Sequence, residues 1–330
     1  MNKVRRKVLL YQTVKSFDNA SRIFGNPPVI VGIKENVASL KFNRPRFFNC
    51  LDESVIPPTA SFISSILREK NANIFTLEGS NHRNKNHAFT TGGDLLMGLN
   101  IIYRREKCDY FSDAERLYYL NIYRIQHFLH NLSKEIVLIS LMDGATIGSG
   151  VLYGLNTTFS VATERTIWSL PEVSIGGFPD VGVVNHLIKL PCNMGKMLAL
   201  TGLRLKGQEL VSSGLATHFC KSEKLPQLKD ELSSLGNSAD TQSKVKEVLD
   251  KYHEVSIEKK ENQEINKKID KLKEMTEKIY KTDDVSEVIE NLKNCDDEES
   301  KQQLRLLKLG CPLSLRFTYS VLLTFSYNKI

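Results

Sequence analysis

The spacing of apolar and polar positions changes several times along the chain, and each change predicts an element. Val29-Ile30-Val31 and Val37 to Phe42 are short runs rich in β-branched residues. Polar Lys34-Glu35-Asn36 separates them, which reads as a hairpin. Phe62, Ile63, Ile66 and Leu67 share one face of a helix over 58–68, and the opening Pro58 suits a first turn. Ile74 to Leu77 predicts a strand; a polar loop then leads into 88–94. Leu117, Leu120, Ile125, Phe128 and Leu129 predict a helix over 112–133. Residues 135–142, with Ser140 interrupting their apolar run, predict a buried strand that Asp143-Gly144 ends. Gly148-Ser149-Gly150 should open a short helix. Residues 159–162 and 167–170 read as strands, and 194–201 and 206–214 as helices. Alternation of strands and helices gives an α/β architecture.

Near Leu225 the composition shifts toward Lys, Glu and Asp. Ile265, Ile269, Leu272, Met275 and Ile279 recur at helical spacing, as do Val285, Val288, Ile289 and Leu292. Asp284 followed by Glu287 resembles a capping box. The expected organisation is therefore a basic segment 1–25, an α/β core 26–224 and a helical C-terminal region 225–330. The charges of that region read as solvated faces, with a partner surface as the alternative.

Charge and cysteines narrow the function classes. The net charge is +7, but residues 1–25 hold six Lys and Arg against the single acid Asp18. Basic, acid-poor and interleaved with Val4, Val8, Leu9 and Leu10, this segment fits a mitochondrial presequence. A disordered basic tail or an arm gripping RNA phosphates are the alternatives. The rest of the chain is close to neutral, which argues against DNA as a partner. The six cysteines form no Cys-x-x-Cys pair, so neither a disulfide framework nor a zinc site is expected, and no metal-ligand spacing is present. The longest apolar run is too short for a bilayer, which needs about 20 residues, so no membrane partner is expected.

Three segments carry candidate chemistry: 89–95 with Thr91-Gly92-Gly93-Asp94, 143–150 with Gly148-Ser149-Gly150, and 170–182 with Glu172 and Asp180. The first two are glycine-rich turns after strands. They are either tight turns only, or places where two backbone N–H groups approach a ligand and form an oxyanion hole. In the third, Glu172 and Asp180 each follow a proline, which stiffens the backbone that aims them. Two fixed carboxylates can supply a nucleophile or general base and its assistant; loop acids satisfied by backbone N–H groups are the plainer reading. His186 and His218 lie on apolar stretches and read as structural.

The chain from about residue 28 resembles the 3-hydroxyisobutyryl-CoA hydrolase branch of the crotonase (enoyl-CoA hydratase/isomerase) superfamily. The residues that carry this are Asn43-Arg44-Pro45, Gly92-Gly93-Asp94, Val161 to Glu164, Leu170-Pro171-Glu172 and Phe178 to Gly182. Leu200-Thr201-Gly202, Leu205-Lys206-Gly207, Gly214 to His218, Glu287 to Leu292 and Pro312 to Leu315 continue it. The resemblance implies a ClpP-like spiral of β-β-α turns with a helical C-terminal region. It also implies a coenzyme A thioester as substrate, hydrolysis of 3-hydroxyisobutyryl-CoA in valine catabolism, no cofactor besides the CoA of the substrate, and a mitochondrial matrix location. It places the oxyanion N–H groups on Gly93 and Ser149, and makes Glu172 the main catalytic carboxylate with Asp180 its partner. Phe47, Thr91, Gly92, Asp94, Gly148 and Leu152 are the implied substrate-binding positions.

Departures cluster at those positions. Ser149 replaces a glycine, which keeps the N–H but removes φ freedom. Leu152 stands where hydratases carry a second glutamate and where the hydrolase branch has glycine. Phe47 replaces a small alanine, Thr90-Thr91 a small pair, Asn156 a histidine and Val183-Val184 a glycine pair. Proteins resembling this branch also serve in the small subunit of mitochondrial ribosomes, so a non-catalytic ribosomal component is the alternative function. An open groove beside Phe47 would favour the hydrolase, and a groove filled by its ring the ribosomal reading.

Overall fold

The structure, a computed structural model, describes residues 27–69, 72–81, 87–97, 99, 103, 113–236 and 240–327. The basic segment 1–25 lies outside the described residues. The expected hairpin is formed by β1 (Val29–Lys34) and β2 (Val37–Phe42), antiparallel with Val29 opposite Phe42. Next come β3 (Ile74–Gly79), β5 (Val137–Met142), β7 (Phe159–Ala162) and β10 (His218–Phe219), each parallel to its neighbour, in the order β1-β2-β3-β5-β7-β10. A smaller sheet has the order β4-β6-β8-β9, from Ala88–Thr90, Ala145–Ile147, Ile167–Ser169 and Leu205–Lys206. It is parallel except at β8–β9.

The chain winds between these sheets as a spiral. Each turn lays one strand in the large sheet, one in the small sheet, and then a helix. One turn is β3-β4 with α2 (Asp113–Leu132); the next is β5-β6 with α3 (Val151–Leu155). Helix α1 (Ile56–Glu69) precedes them, with Pro57 and Pro58 in its first turn. After β8 come α4 (Val184–Leu187), α5 (Met194–Thr201) and α6 (Glu209–Ser213).

Strand β5 shows why its sequence is apolar throughout. Leu138 and Met142 belong to the main core, while Val137, Ile139 and Leu141 belong to a second apolar cluster on the other face. A strand buried on both faces shows no polar alternation. Ser140 is tolerated because its hydroxyl donates to the Gly154 carbonyl of α3 at 3.1 Å. The second cluster is completed by Leu225, Leu228 and Leu232 of α7 (Leu225–Ser233) and by Val245, Val248, Leu249 and Tyr252 of α8 (Thr241–Ser256).

Helices α9 (Lys259–Ile279), α10 (Val285–Lys293), α11 (Glu298–Leu309) and α12 (Pro312–Tyr327) bury Ile269, Ile279, Val288, Leu292, Leu307, Leu315, Tyr319 and Leu322 in the main core. Each such side chain contributes roughly 1.5–3 kcal/mol relative to exposure, so these helices share the core of the spiral. Among the described residues no single helix is long and apolar enough to cross a membrane.

Two local expectations are corrected. Residues 206–214 are not one helix. Leu205 and Lys206 pair with Trp168 and Ile167, Gly207 takes a left-handed φ of 49°, and the helix starts at Glu209. The capping box at Asp284 is only half formed. Its carboxylate accepts from Ser286 N–H at 2.8 Å, but its own N–H is taken by the Thr282 hydroxyl at 3.0 Å, not by Glu287.

Candidate active site

Strands β4, β6 and β8 lie side by side and parallel, with Ala88 beside Ala145 and Ile147 beside Ser169. Their carboxyl ends therefore point the same way. From those ends leave, in turn, Thr91-Gly92-Gly93, Gly148-Ser149-Gly150 and Leu170-Pro171-Glu172. Three segments far apart in sequence are thus brought to one edge, where ligands of open parallel sheets gather.

The turns fit because they are glycine. Gly92 has a φ of 76° and Gly148 of 59°. A Cβ at Gly150 would stand 2.5 Å from the Thr90 carbonyl oxygen, so the turn after β6 can lie against that after β4 only without one. Ser149 sits between them in a single helical turn and is not among the residues of positive φ. The loss of φ freedom expected from replacing glycine therefore carries no backbone cost here. Its side chain matters instead: Gly93 N–H donates to Ser149 Oγ at 3.1 Å.

Glu172 opens a short 3-10 turn, Glu172–Ile175, that starts at Pro171 and ends at Gly176 with a φ of 80°. Gly202, at the end of α5, has a φ of 61°, and a Cβ there would stand 3.1 Å from Pro171 Cα. The Leu-Thr-Gly motif thus backs the Glu172 turn. From the other side, Cys311 N–H donates to the Val173 carbonyl at 3.0 Å, and Phe317 meets Phe178 edge-on at 4.7 Å between centroids. The junction of α11 and α12 clamps the turn.

The Glu172 carboxylate reaches the turn after β6: a Cβ at Gly148 would lie 3.4 Å from Oε1. Oε2 is buried with no hydrogen-bond partner among the described residues. Burial pushes the carboxyl up to about 7; backbone hydrogen bonding opposes this, and the charge of Asp180 adds to it. Asp180 is also raised by burial, against a hydrogen bond from Tyr123 of α2. The next residue, Val181, holds a φ of 48°, a strained conformation for a β-branched residue.

The other sequence candidates divide. Thr91 lies in the first turn and donates to the Phe48 carbonyl at 3.3 Å. Asp94 lies in an ion-pair cluster. Arg44 lies 3.2 Å from Asp94 and 2.9 Å from Asp52, and Cys50 Sγ donates to Asp94 at 3.3 Å. Burial works against ionisation of Asp94, but Cys50 and Arg44 hold its carboxyl low; burial pushes the Cys50 thiol up to about 11. Phe47 is 54% exposed, with the Arg44 guanidinium 5.1 Å over its ring. Leu152 is completely buried in the main core. Asn156 is buried, donating to Gln126 Oε1 at 3.2 Å and lying 2.8 Å from His186 Nε2. Burial lowers His186 to about 4, and His218 is pinned between Thr217 and Asp250, so both histidines are structural. Tyr123 was not singled out in the sequence, since an aromatic on an amphipathic helix looks like a packing residue. Among the described residues no three His, Cys, Asp or Glu side chains are grouped to hold a metal ion.

Residues 37–327 match the enoyl-CoA hydratase/isomerase family. The chain belongs to that family. Within this crotonase family it is 30% identical over 279 residues to the mitochondrial 3-hydroxyisobutyryl-CoA hydrolase of Gallus gallus, covering 84% of this chain and 68% of the relative. The human hydrolase is 30% identical over 292 residues, covering 88% and 71%. The small ribosomal subunit protein mS47 of Neurospora crassa is 32% identical over 245 residues, covering 70% of this chain but only 45% of that protein. The crotonase fold is carried by solved structures. A carnitinyl-CoA dehydratase from Mycobacterium thermoresistibile superposes with a TM-score of 0.76 at 22% identity, covering 92% of this chain and 81% of that one.

Proposed function

We propose that this site hydrolyses an acyl-CoA thioester, most concretely 3-hydroxyisobutyryl-CoA to 3-hydroxyisobutyrate and CoA, in the mitochondrial matrix as part of valine catabolism. The observation that carries this reading is the Glu172 carboxylate, buried, half without a partner and beside the oxyanion turn. A carboxylate that only braced a loop would have its oxygens satisfied. The relatives named for this reaction support the substrate.

In this reading the backbone N–H groups of Gly93 and Ser149 receive the thioester oxygen as negative charge develops on it. Ionised Glu172 either attacks the thioester carbon or takes a proton from an attacking water; both routes use the same carboxylate. Asp180, held by Tyr123, assists. Water supplies OH to the acyl carbon and H to the departing CoA sulfur. No cofactor is needed.

A second reading, a non-catalytic component of the small subunit of the mitochondrial ribosome, is favoured by two observations. The Gly93 N–H is already occupied by Ser149 Oγ, and an mS47 protein is among the relatives. The test is release of free thiol from 3-hydroxyisobutyryl-CoA by the purified protein. The hydrolase reading expects release that disappears in Glu172→Gln. No release, or equal release by that variant, overturns it.

A further inference from the structure

The hydrogen bond from Gly93 N–H to Ser149 Oγ places a side-chain oxygen on a donor that the acyl oxygen would use. The hydroxyl is lodged there. A Cβ on Gly92 would come within 2.8 Å of Ser149 Oγ, so only the bare Gly92 backbone lets the hydroxyl in. Nothing in the Ser149 backbone requires this, because Ser149 is not among the residues of positive φ. The edge is therefore unevenly satisfied: the Gly93 N–H is bonded from within the chain, while the buried acceptor Glu172 Oε2 has no partner among the described residues.

We propose that the Ser149 hydroxyl is a built-in competitor for the oxyanion hole, which an acyl-CoA oxygen displaces by turning the Ser149 side chain about χ1. This rests on the hydrolase reading and deepens it, because it makes Ser149 the residue that sets how tightly the thioester is held. A hydroxyl and a thioester carbonyl are both neutral acceptors, so exchanging one for the other gains little. Removing the hydroxyl leaves Gly93 N–H free to gain a new bond from the ligand. The difference is the net worth of one neutral hydrogen bond, about 2- to 13-fold in affinity. The displacement is complete once substrate is bound, so it acts on KM and leaves kcat within about twofold.

The experiment compares wild type with Ser149→Gly and Ser149→Ala by thiol release from 3-hydroxyisobutyryl-CoA. KM should fall about 2- to 13-fold in both variants. Unchanged KM, or a fall in kcat in the variants lacking the hydroxyl, overturns the proposal, because the hydroxyl would then be a helper of the reaction. A binding measurement separates this from the function itself. Calorimetric titration of the same thioester into Glu172→Gln and into Glu172→Gln/Ser149→Gly needs no turnover. Tighter binding to the double variant supports the competitor even where wild type releases no thiol; equal binding, or none to either, overturns it.

Discussion

Tyr123 Oη donates a 2.8 Å hydrogen bond to Asp180 Oδ2, tying the middle of α2 to the strained loop that follows the Glu172 turn. A phenol that donates to a carboxylate favours its ionised form. Here it opposes the burial that raises Asp180.

Tyr123→Phe removes that donor with little change of shape. Asp180 should then ionise at higher pH, which should change the acidic side of the pH profile of thiol release beside the limb that Glu172 sets. Tyr123 is 43% exposed, so the loss at neutral pH should be about tenfold, at the low end for hydrogen bonds to charged groups. Overlapping profiles of the two proteins would remove Tyr123 from the site.

Glu172 should cost stability at neutral and alkaline pH. Its carboxyl is about 7 in the folded protein, against an ordinary 4.5. Below 4.5 both folded and unfolded forms are protonated and there is no penalty. Between 4.5 and 7 the folded form holds the extra proton, so stability falls with rising pH; above 7 the whole penalty is present. At about 1.36 kcal/mol per unit it amounts to roughly 3 kcal/mol. Glu172→Gln should therefore be more stable than wild type in urea at pH 8, with the advantage fading toward pH 4. The same ionisation should make thiol release rise with pH through a limb near 7.

Arg44→Ala leaves Asp52 and Asp94 without their shared cation, with Cys50 still against Asp94. Their side chains are mostly buried, so the loss should be about 2–4 kcal/mol at pH 7, measured by urea unfolding. Asp94 has a lowered folded value. Its share is present above the unfolded value of about 3.8 and is lost as pH falls through the folded one. A stability gap between wild type and Arg44→Ala that stays constant down to pH 2 would contradict this.

Phe47→Ala removes an exposed ring, so unfolding free energy should change by less than about 0.5 kcal/mol. Any change in affinity for CoA in this variant, read by calorimetry, then reports contact with the ligand and not damage to the fold. A large loss of stability would mean that the ring packs in a way its exposure does not suggest.

What the sequence revealed follows the range of each interaction. Strand β5, α2 and α5 were legible because burial imposes its own period on neighbouring positions. Gly92 and Gly148 were legible as turns because their φ values admit few other residues. The convergence of 91–93, 148–150 and 170–172 was implied only by family resemblance, since nothing local records that β4, β6 and β8 are adjacent. The Gly93–Ser149 bond was hidden for the same reason: it joins two turns, and Ser149 had been weighed for its backbone alone. Leu152, an implied substrate-binding position, is completely buried in the main core, which its place on the short helix α3 does not reveal in the sequence. The helix expected over 206–214 failed at Gly207, where a left-handed φ separates a strand pair from the helix behind it.

The bond from Cys311 N–H to the Val173 carbonyl has a consequence for synthesis. The strands that carry the two glycine turns can pair as soon as β8 has been made. Within the Glu172 turn the Val173 carbonyl takes Gly176 N–H at 3.4 Å, but its shorter bond, from Cys311 N–H at 3.0 Å, must wait for the junction of α11 and α12, far downstream. The nascent protein thus passes through a stage in which the spiral is wound and the carboxylate is still unaimed. Activity should mature after the sheets do, as a separate and slower event that follows the docking of the last two helices.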